Sequence, residues 1–219
     1  KVNDTIFEYE KKEVISSETC FHPKKNELIK NISLVSKDAY EQNQFLLAFC
    51  IYYVLQDPDS VEELGRKEKF YLISLPVFDI QANELFLNES NLDELLIREH
   101  FDSTYEQSAL NQIIENNFGI ENKTTYVYML FSKIYYYIKA HSFNINNQAV
   151  ILPFLDICDV VPYYLSKPKI YDLSDSYMVE EYKNKIFVKS KINIQQSDQF
   201  LFSYNLPLDN DYLFLKRGI

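Results

Sequence analysis

Apolar residues recur along this chain with two different periods. Between Thr5 and Phe21, short runs such as Thr5-Ile6-Phe7-Glu8-Tyr9-Glu10 alternate apolar and polar positions, which predicts strands. From Gln42 to Gln56 the period lengthens. Phe45, Leu46, Phe49, Tyr52 and Tyr53 recur at three- and four-residue spacing and predict a buried helix with Asp38 or Asn43 near its start. Asp57-Pro58-Asp59-Ser60 stops it, because the residue before a proline is pushed out of the helical region and Asp and Ser favour turns. Phe70 to Leu75 is a second short apolar piece, closed by Pro76.

Residues 84–139 read as helical. Asn91 to Leu96 has the form of a short helix with Ser90 or Asn91 as cap and acids in its first turn. Thr104 to Asn117 repeats apolar residues at Tyr105, Ala109, Ile113 and Ile114, and Asn116-Asn117-Phe118-Gly119 ends that helix. Thr124 or Thr125 can cap the next one, whose face is Val127, Leu130, Ile134 and Tyr137 or Ile138. After Lys139 strand-like pieces return: Ala149 to Leu152, Lys185 to Ser190 and Gln199 to Tyr204. The tail from Asp211 to Gly218 has a short helical spacing. Strands at both ends around a helical middle make an α+β domain with a helical insertion.

Composition is that of a globular protein, with 47% hydrophobic and 25% charged residues over 219 positions. Three glycines leave no room for a glycine-rich phosphate loop. The formal charge of −10 repels the nucleic-acid backbone and attracts basic partners. No run reaches the roughly 18 apolar residues of a membrane span, and the charged start from Lys1 to Lys12 is no signal peptide. The start also lacks a methionine and reads as part of something longer. Cys20, Cys50 and Cys158 are odd in number and far apart, which suits core residues in a reduced, intracellular setting better than a disulfide framework.

The usual catalytic constellations are missing. His22, His100 and His141 have no spaced metal-ligand partners, and there is no GxSxG, Walker loop or dinucleotide fingerprint. The run Tyr135-Tyr136-Tyr137 invites an aromatic cage, but three successive helical positions point in different directions.

The order of segments carries more information than any one of them. Lys69 to Pro76 is similar to "W..YL..LP", and Glu84 to Leu95 to "fW...el..L". Thr124 to His141 is similar to "t...f.wA...v.sRaf", followed by Ile151 to Asp159, similar to "liP.aDm.NH". Ser197 to Tyr204 is similar to "aGeqv.i.Yg", and Asp209 to Ile219 to "sN.elLl.yGF". From about Ser33 to its end the chain thus resembles the SET-domain protein methyltransferases of the branch typified by the Rubisco large-subunit lysine methyltransferase.

The resemblance implies a SET-like α+β fold with small β-sheets, a C-terminal pseudoknot and a helical insert. Residues 1–37 would hold partial N-terminal SET strands, 38–139 the helical insert region and 140–219 the C-terminal SET portion. It also implies S-adenosylmethionine as cofactor and in-line methyl transfer to a lysine amine of a protein substrate, with a basic protein such as a histone suiting the acidic charge. Tyr204 matches the catalytic tyrosine, and Lys139, Asp156, Asp159 and Val160 fall at cofactor-binding positions. A neutral, rigid phenol suits the place beside an accepting amine because it orients the nitrogen without trapping it in an ion pair. The chain departs from the family pattern in three places. Asp159-Val160 stands where the family has Asn-His, and Lys139 replaces an arginine, keeping the charge but not the bidentate fork. The family's Gly-rich cofactor turn is absent as well. These departures leave an alternative: a SET module without turnover that serves as a protein-interaction scaffold.

Overall fold

The structure is a computed structural model that describes residues 3–19, 25–57, 65–75, 103–119, 125–153, 155 and 177–190, with side chains of the fourth helix described from Ser108 onward. The chain divides into two compact units. One combines Lys1–Val14 with Leu152–Asn210, the other Ile15–Ile151 with Asp211–Ile219.

In the first unit, β1 (Thr5–Glu10), β5 (Tyr177–Tyr182) and β6 (Lys185–Ser190) form an antiparallel sheet in the order β1-β6-β5. Tyr9 faces Ile186, which in turn faces Glu181. The alternation along β6 is complete, with Ile186, Val188 and Ser190 buried and Lys185, Phe187 and Lys189 half-exposed. That half-exposed row is laced by Lys185 to Glu8 and Glu10 and by Lys189 to Glu180. The β5–β6 turn carries Lys183 at φ 58°. Lys185 to Ser190 was legible as a strand; β5 was not read, because the Glu180-Glu181 pair interrupts its apolar alternation.

The second unit is organised around α2 (Ala39–Gln56). Its apolar residues run almost all the way round: Phe45, Leu47, Ala48, Phe49, Ile51 and Val54 are fully buried, as a central helix requires. Asp38 is the N-cap, accepting from the Glu41 amide at 2.7 Å, and the helix stops at Asp57 before Pro58 as the sequence indicates. Around it pack α1 (Lys25–Val35), α3 (Arg66–Ser74) and α5 (Tyr126–His141), while α4 (Ser103–Phe118) packs on α1 and α5. Thr125 caps α5 by accepting from the Tyr128 amide, and Gly119 closes α4 at φ +66°. α1 has a weak signature in the sequence, because its buried stripe is only Leu28 and Ile32, one turn apart. The piece from Phe70 to Leu75 is the second half of helix α3.

A small sheet in the order β2-β4-β3 completes this unit, from Ile15–Ser16, Gln148–Ile151 and Phe143–Ile145. Asn146 and Asn147 both sit at positive φ, 53° and 63°, the geometry a two-residue hairpin needs and asparagine tolerates. The Asn43 side-chain amide of α2 donates to the Asn147 carbonyl at 3.0 Å and pins that turn.

The core is aromatic. Phe45 lies on Tyr135 with ring centroids 4.3 Å apart and planes 5° from parallel, and Phe49 packs on Phe131 at 4.6 Å. Tyr135, Tyr136 and Tyr137 are all buried in it, which leaves no open aromatic cage on this helix. Cys50 is buried in α2 and disulfide-bonded, so the expectation of separate thiols does not hold at this position. The strand expected at Gln199–Tyr204, the short helices expected at 91–96 and 211–218, and the C-terminal pseudoknot lie outside the described residues.

Candidate functional site

Of the five residues singled out in the sequence, the described part of the chain contains Lys139; Tyr204, Asp156, Asp159 and Val160 lie outside it. Lys139 occupies the last turn of α5. A lysine there ordinarily reaches into water and complements the negative end of the helix. Here it is 8% exposed. Its ammonium lies 5.8 Å from the centroid of the Tyr135 ring, one turn back on the same helix, and that ring is stacked on Phe45 of α2. Phe45, Tyr135 and Lys139 therefore form a column: two flat rings carry a cation withdrawn from solvent. Desolvating an ammonium is costly, so such a position favours an anion as neighbour more strongly than a surface lysine does.

The end of α5 is held from several sides. His141 stacks on Tyr137 at 4.4 Å. Ser142, the C-cap, lies 3.0 Å from the Tyr40 hydroxyl through its own Oγ, and the same hydroxyl donates to the Ser142 carbonyl at 3.2 Å. Tyr40 stands at the start of α2, so the two central helices are tied where Lys139 sits.

In the other unit, the Tyr9 hydroxyl of β1 donates to the Pro153 carbonyl at 2.9 Å. The Leu155 amide bonds the Leu152 carbonyl at 3.0 Å, and both leucines are buried. The chain thus enters the Asp156–Val160 stretch from an anchored turn. Neither Tyr9 nor Tyr40 was singled out from sequence; in a chain with 18 tyrosines nothing local separates a tethering phenol from a packing one.

Among the described residues no group of His, Cys, Asp and Glu could hold a metal ion, and no helix is long and apolar enough to cross a membrane. Burial pushes the hydroxyls of Tyr52 and Tyr53 above the ordinary tyrosine range, assisted at Tyr52 by Tyr126 and at Tyr53 by Tyr52 and Glu27.

No family model and no curated protein matches this chain. Among solved structures it is similar to the crystal structure of the SET domain of LSMT bound to lysine and AdoHcy, with a TM-score of 0.63 at 16% identity. The match covers 100% of this chain and 48% of that one, so the chain spans about half the length of the structure it resembles. At this identity the likeness speaks for the fold, and with the helices and small antiparallel sheets described above it establishes a SET-like α+β fold.

Proposed function

We propose that this chain is the SET portion of an S-adenosylmethionine-dependent protein methyltransferase acting on a lysine amine. The single observation that carries the reading is the buried Lys139, at a position similar to that of a cofactor-facing arginine, in a chain with a SET-like fold. The neighbouring structure holds lysine and AdoHcy, which supports a lysine-bearing protein as substrate and S-adenosylmethionine as methyl source. A desolvated cation over an aromatic ring is a suitable seat for a carboxylate.

In this reading Lys139 would hold the cofactor's carboxylate as a point charge. Asp159 would face its ammonium, Val160 would contribute backbone groups, and Asp156 would stand with them as a cofactor-binding residue. When bound, the cofactor supplies an electrophilic methyl group. Tyr204 offers its hydroxyl to the substrate amine, which must be neutral to react, and a phenol orients that nitrogen without stabilising its protonated form. The work of the chain is alignment and exclusion of water. The proposed organisation is 1–37 as partial SET strands, 38–139 as insert and 140–219 as the C-terminal SET portion, and the acidic charge favours a basic protein substrate.

Calorimetric titration of S-adenosylmethionine and its demethylated product into the chain tests this. Micromolar binding, weakened by Asp159→Ala and little changed by Tyr204→Phe, is expected. No heat at concentrations that reveal roughly millimolar affinity would sink the reading and leave the Asp159-Val160 replacement as the mark of a scaffold.

A further inference from the structure

Helix α3 differs from the rest of this acidic chain. Its sequence, Arg66-Lys67-Glu68-Lys69-Phe70-Tyr71-Leu72-Ile73-Ser74, carries three cations against one carboxylate within a chain of net charge −10. The inner side is settled by Leu72 and by Leu75 just beyond the helix, both buried, with the helix packed on α2. The outer side shows Arg66, Lys67, Phe70, Ile73 and Ser74, positions one turn apart that share a helical face. Phe70 is 70% exposed and Ile73 48%, the aromatic ring being the most exposed large apolar group among the described residues. Single exposed apolar residues are ordinary; two on adjacent turns beside uncompensated charge are not.

The charge is uncompensated in a specific sense. Several lysines elsewhere among the described residues are engaged: Lys11, Lys185 and Lys189 in ion pairs, Lys25 and Lys37 with carbonyl oxygens. Among the described residues, Arg66, Lys67 and Lys69 find no ion-pair or side-chain hydrogen-bond partner. The one acid of the helix, Glu68, folds its carboxylate over Gly65 at the helix start, where a Cβ would strike it. That turns Glu68 inward along the helix and leaves Arg66 and Lys67 exposed.

We propose that the outer face of α3 docks an acidic protein segment that presents apolar side chains to Phe70 and Ile73, with its carboxylates meeting Arg66 and Lys67. Charge complementarity selects this occupant. Nucleic acid is disfavoured because Phe70 and Ile73 present apolar surface that a phosphate backbone cannot match, and a membrane because two side chains on a nine-residue helix give too little insertion. The face is small, so the contact is weak and salt-sensitive, like a transient signalling encounter. It stands independently of the methyl-transfer reading.

The test uses the full chain and a fluorescent synthetic peptide in which Asp and Glu alternate with Leu and Phe, read by anisotropy. A dissociation constant of roughly 10–300 µM at low salt is expected. The double variants Phe70→Ser/Ile73→Ser and Arg66→Glu/Lys67→Glu should each weaken it about tenfold or more, with circular dichroism unchanged. Lys12→Glu, an exposed charge in the other unit, should leave it within about twofold. Four results overturn the proposal. The peptide does not bind at about millimolar concentration; binding ignores Phe70 and Ile73; the chain self-associates through Phe70 in sedimentation; or anionic phospholipid vesicles recruit it while the peptide does not.

Discussion

Lys139→Met separates the cofactor reading of this lysine from a purely structural one. The substitution keeps the length of the stem and removes the charge. In the free chain the losses include an ammonium–ring contact over Tyr135, about 0.5–2 kcal/mol, and a favourable place at the end of α5, about 0.3–1 kcal/mol. Against these stands relief from burying a cation that is 8% exposed, several kcal/mol in the opposite direction before its partners compensate it. The net change in unfolding free energy is therefore small, within about 2 kcal/mol of either sign. Ligand binding is a different matter. Truncating one member of a buried charge pair costs about 2–5 kcal/mol, a roughly 30- to several-thousand-fold loss in affinity for a ligand with a carboxylate. The assay is a cycle of four titrations, wild type and Lys139→Met against S-adenosylhomocysteine and against 5′-methylthioadenosine, which lacks the carboxylate. The coupling should appear only with S-adenosylhomocysteine. If Lys139→Met weakens both ligands equally, or neither, Lys139 does not hold the carboxylate and the derivation from its burial is wrong.

Four further outcomes are expected. Ser132→Ala should stabilise the chain by about 1 kcal/mol in guanidinium titration, because the buried Ser132 hydroxyl has no hydrogen-bond partner among the described residues and alanine is the better helix former; a loss of stability refutes this. Tyr9→Phe should cost about 1–3 kcal/mol by leaving the Pro153 carbonyl without that donor, and an unchanged unfolding midpoint would show the tether to be idle. Tyr52 and Tyr53 both ionise at higher pH in the fold than in the unfolded chain. Their contribution is thus complete below the ordinary tyrosine pKa of 10.0 and is lost as pH rises through the higher folded values; Tyr53→Phe should flatten the alkaline fall in the denaturation midpoint. Alkylation of the denatured, unreduced chain should label one of its three cysteines, since Cys50 is disulfide-bonded; three labels would restore the reading of separate thiols.

What the sequence made legible depended on how local the signal was. α2, α4 and α5 announce themselves because a cap, a period and a stop lie within twenty residues: Asp38 before Phe45 and Phe49, Gly119 after Ile113 and Ile114, Thr125 before Leu130 and Ile134. α1 shows only Leu28 and Ile32 among polar neighbours, and β3 is three residues long, too short for any alternation to stand out. At the candidate site, Lys139 could be picked from the order of motifs, but its withdrawal from water could not. Burial there follows from Tyr135 beneath the ammonium and from Tyr40 binding Ser142, contacts made across more than a hundred residues in the second case. The exposure of Phe70 was equally hidden, because an apolar residue in an apolar run reads as core until the packing partner of its helix is known.

The pairing of β1 with β6 has a consequence for how the chain is made. Thr5 lies opposite Lys189, so the first strand leaves the ribosome with its partner still unsynthesised. At typical elongation rates that wait lasts roughly ten to forty seconds. During it, Ile6, Phe7 and Tyr9 form an open strand edge of the kind that recruits other nascent chains. Glu8 and Glu10 interrupt this run, and the lysine that later neutralises them, Lys185, arrives only with β6. The same carboxylates that join an ion-pair network in the finished sheet would thus act as gatekeepers while it is incomplete. Exchanging them for neutral residues should therefore lower the soluble yield from cells more than it lowers the stability of the purified protein.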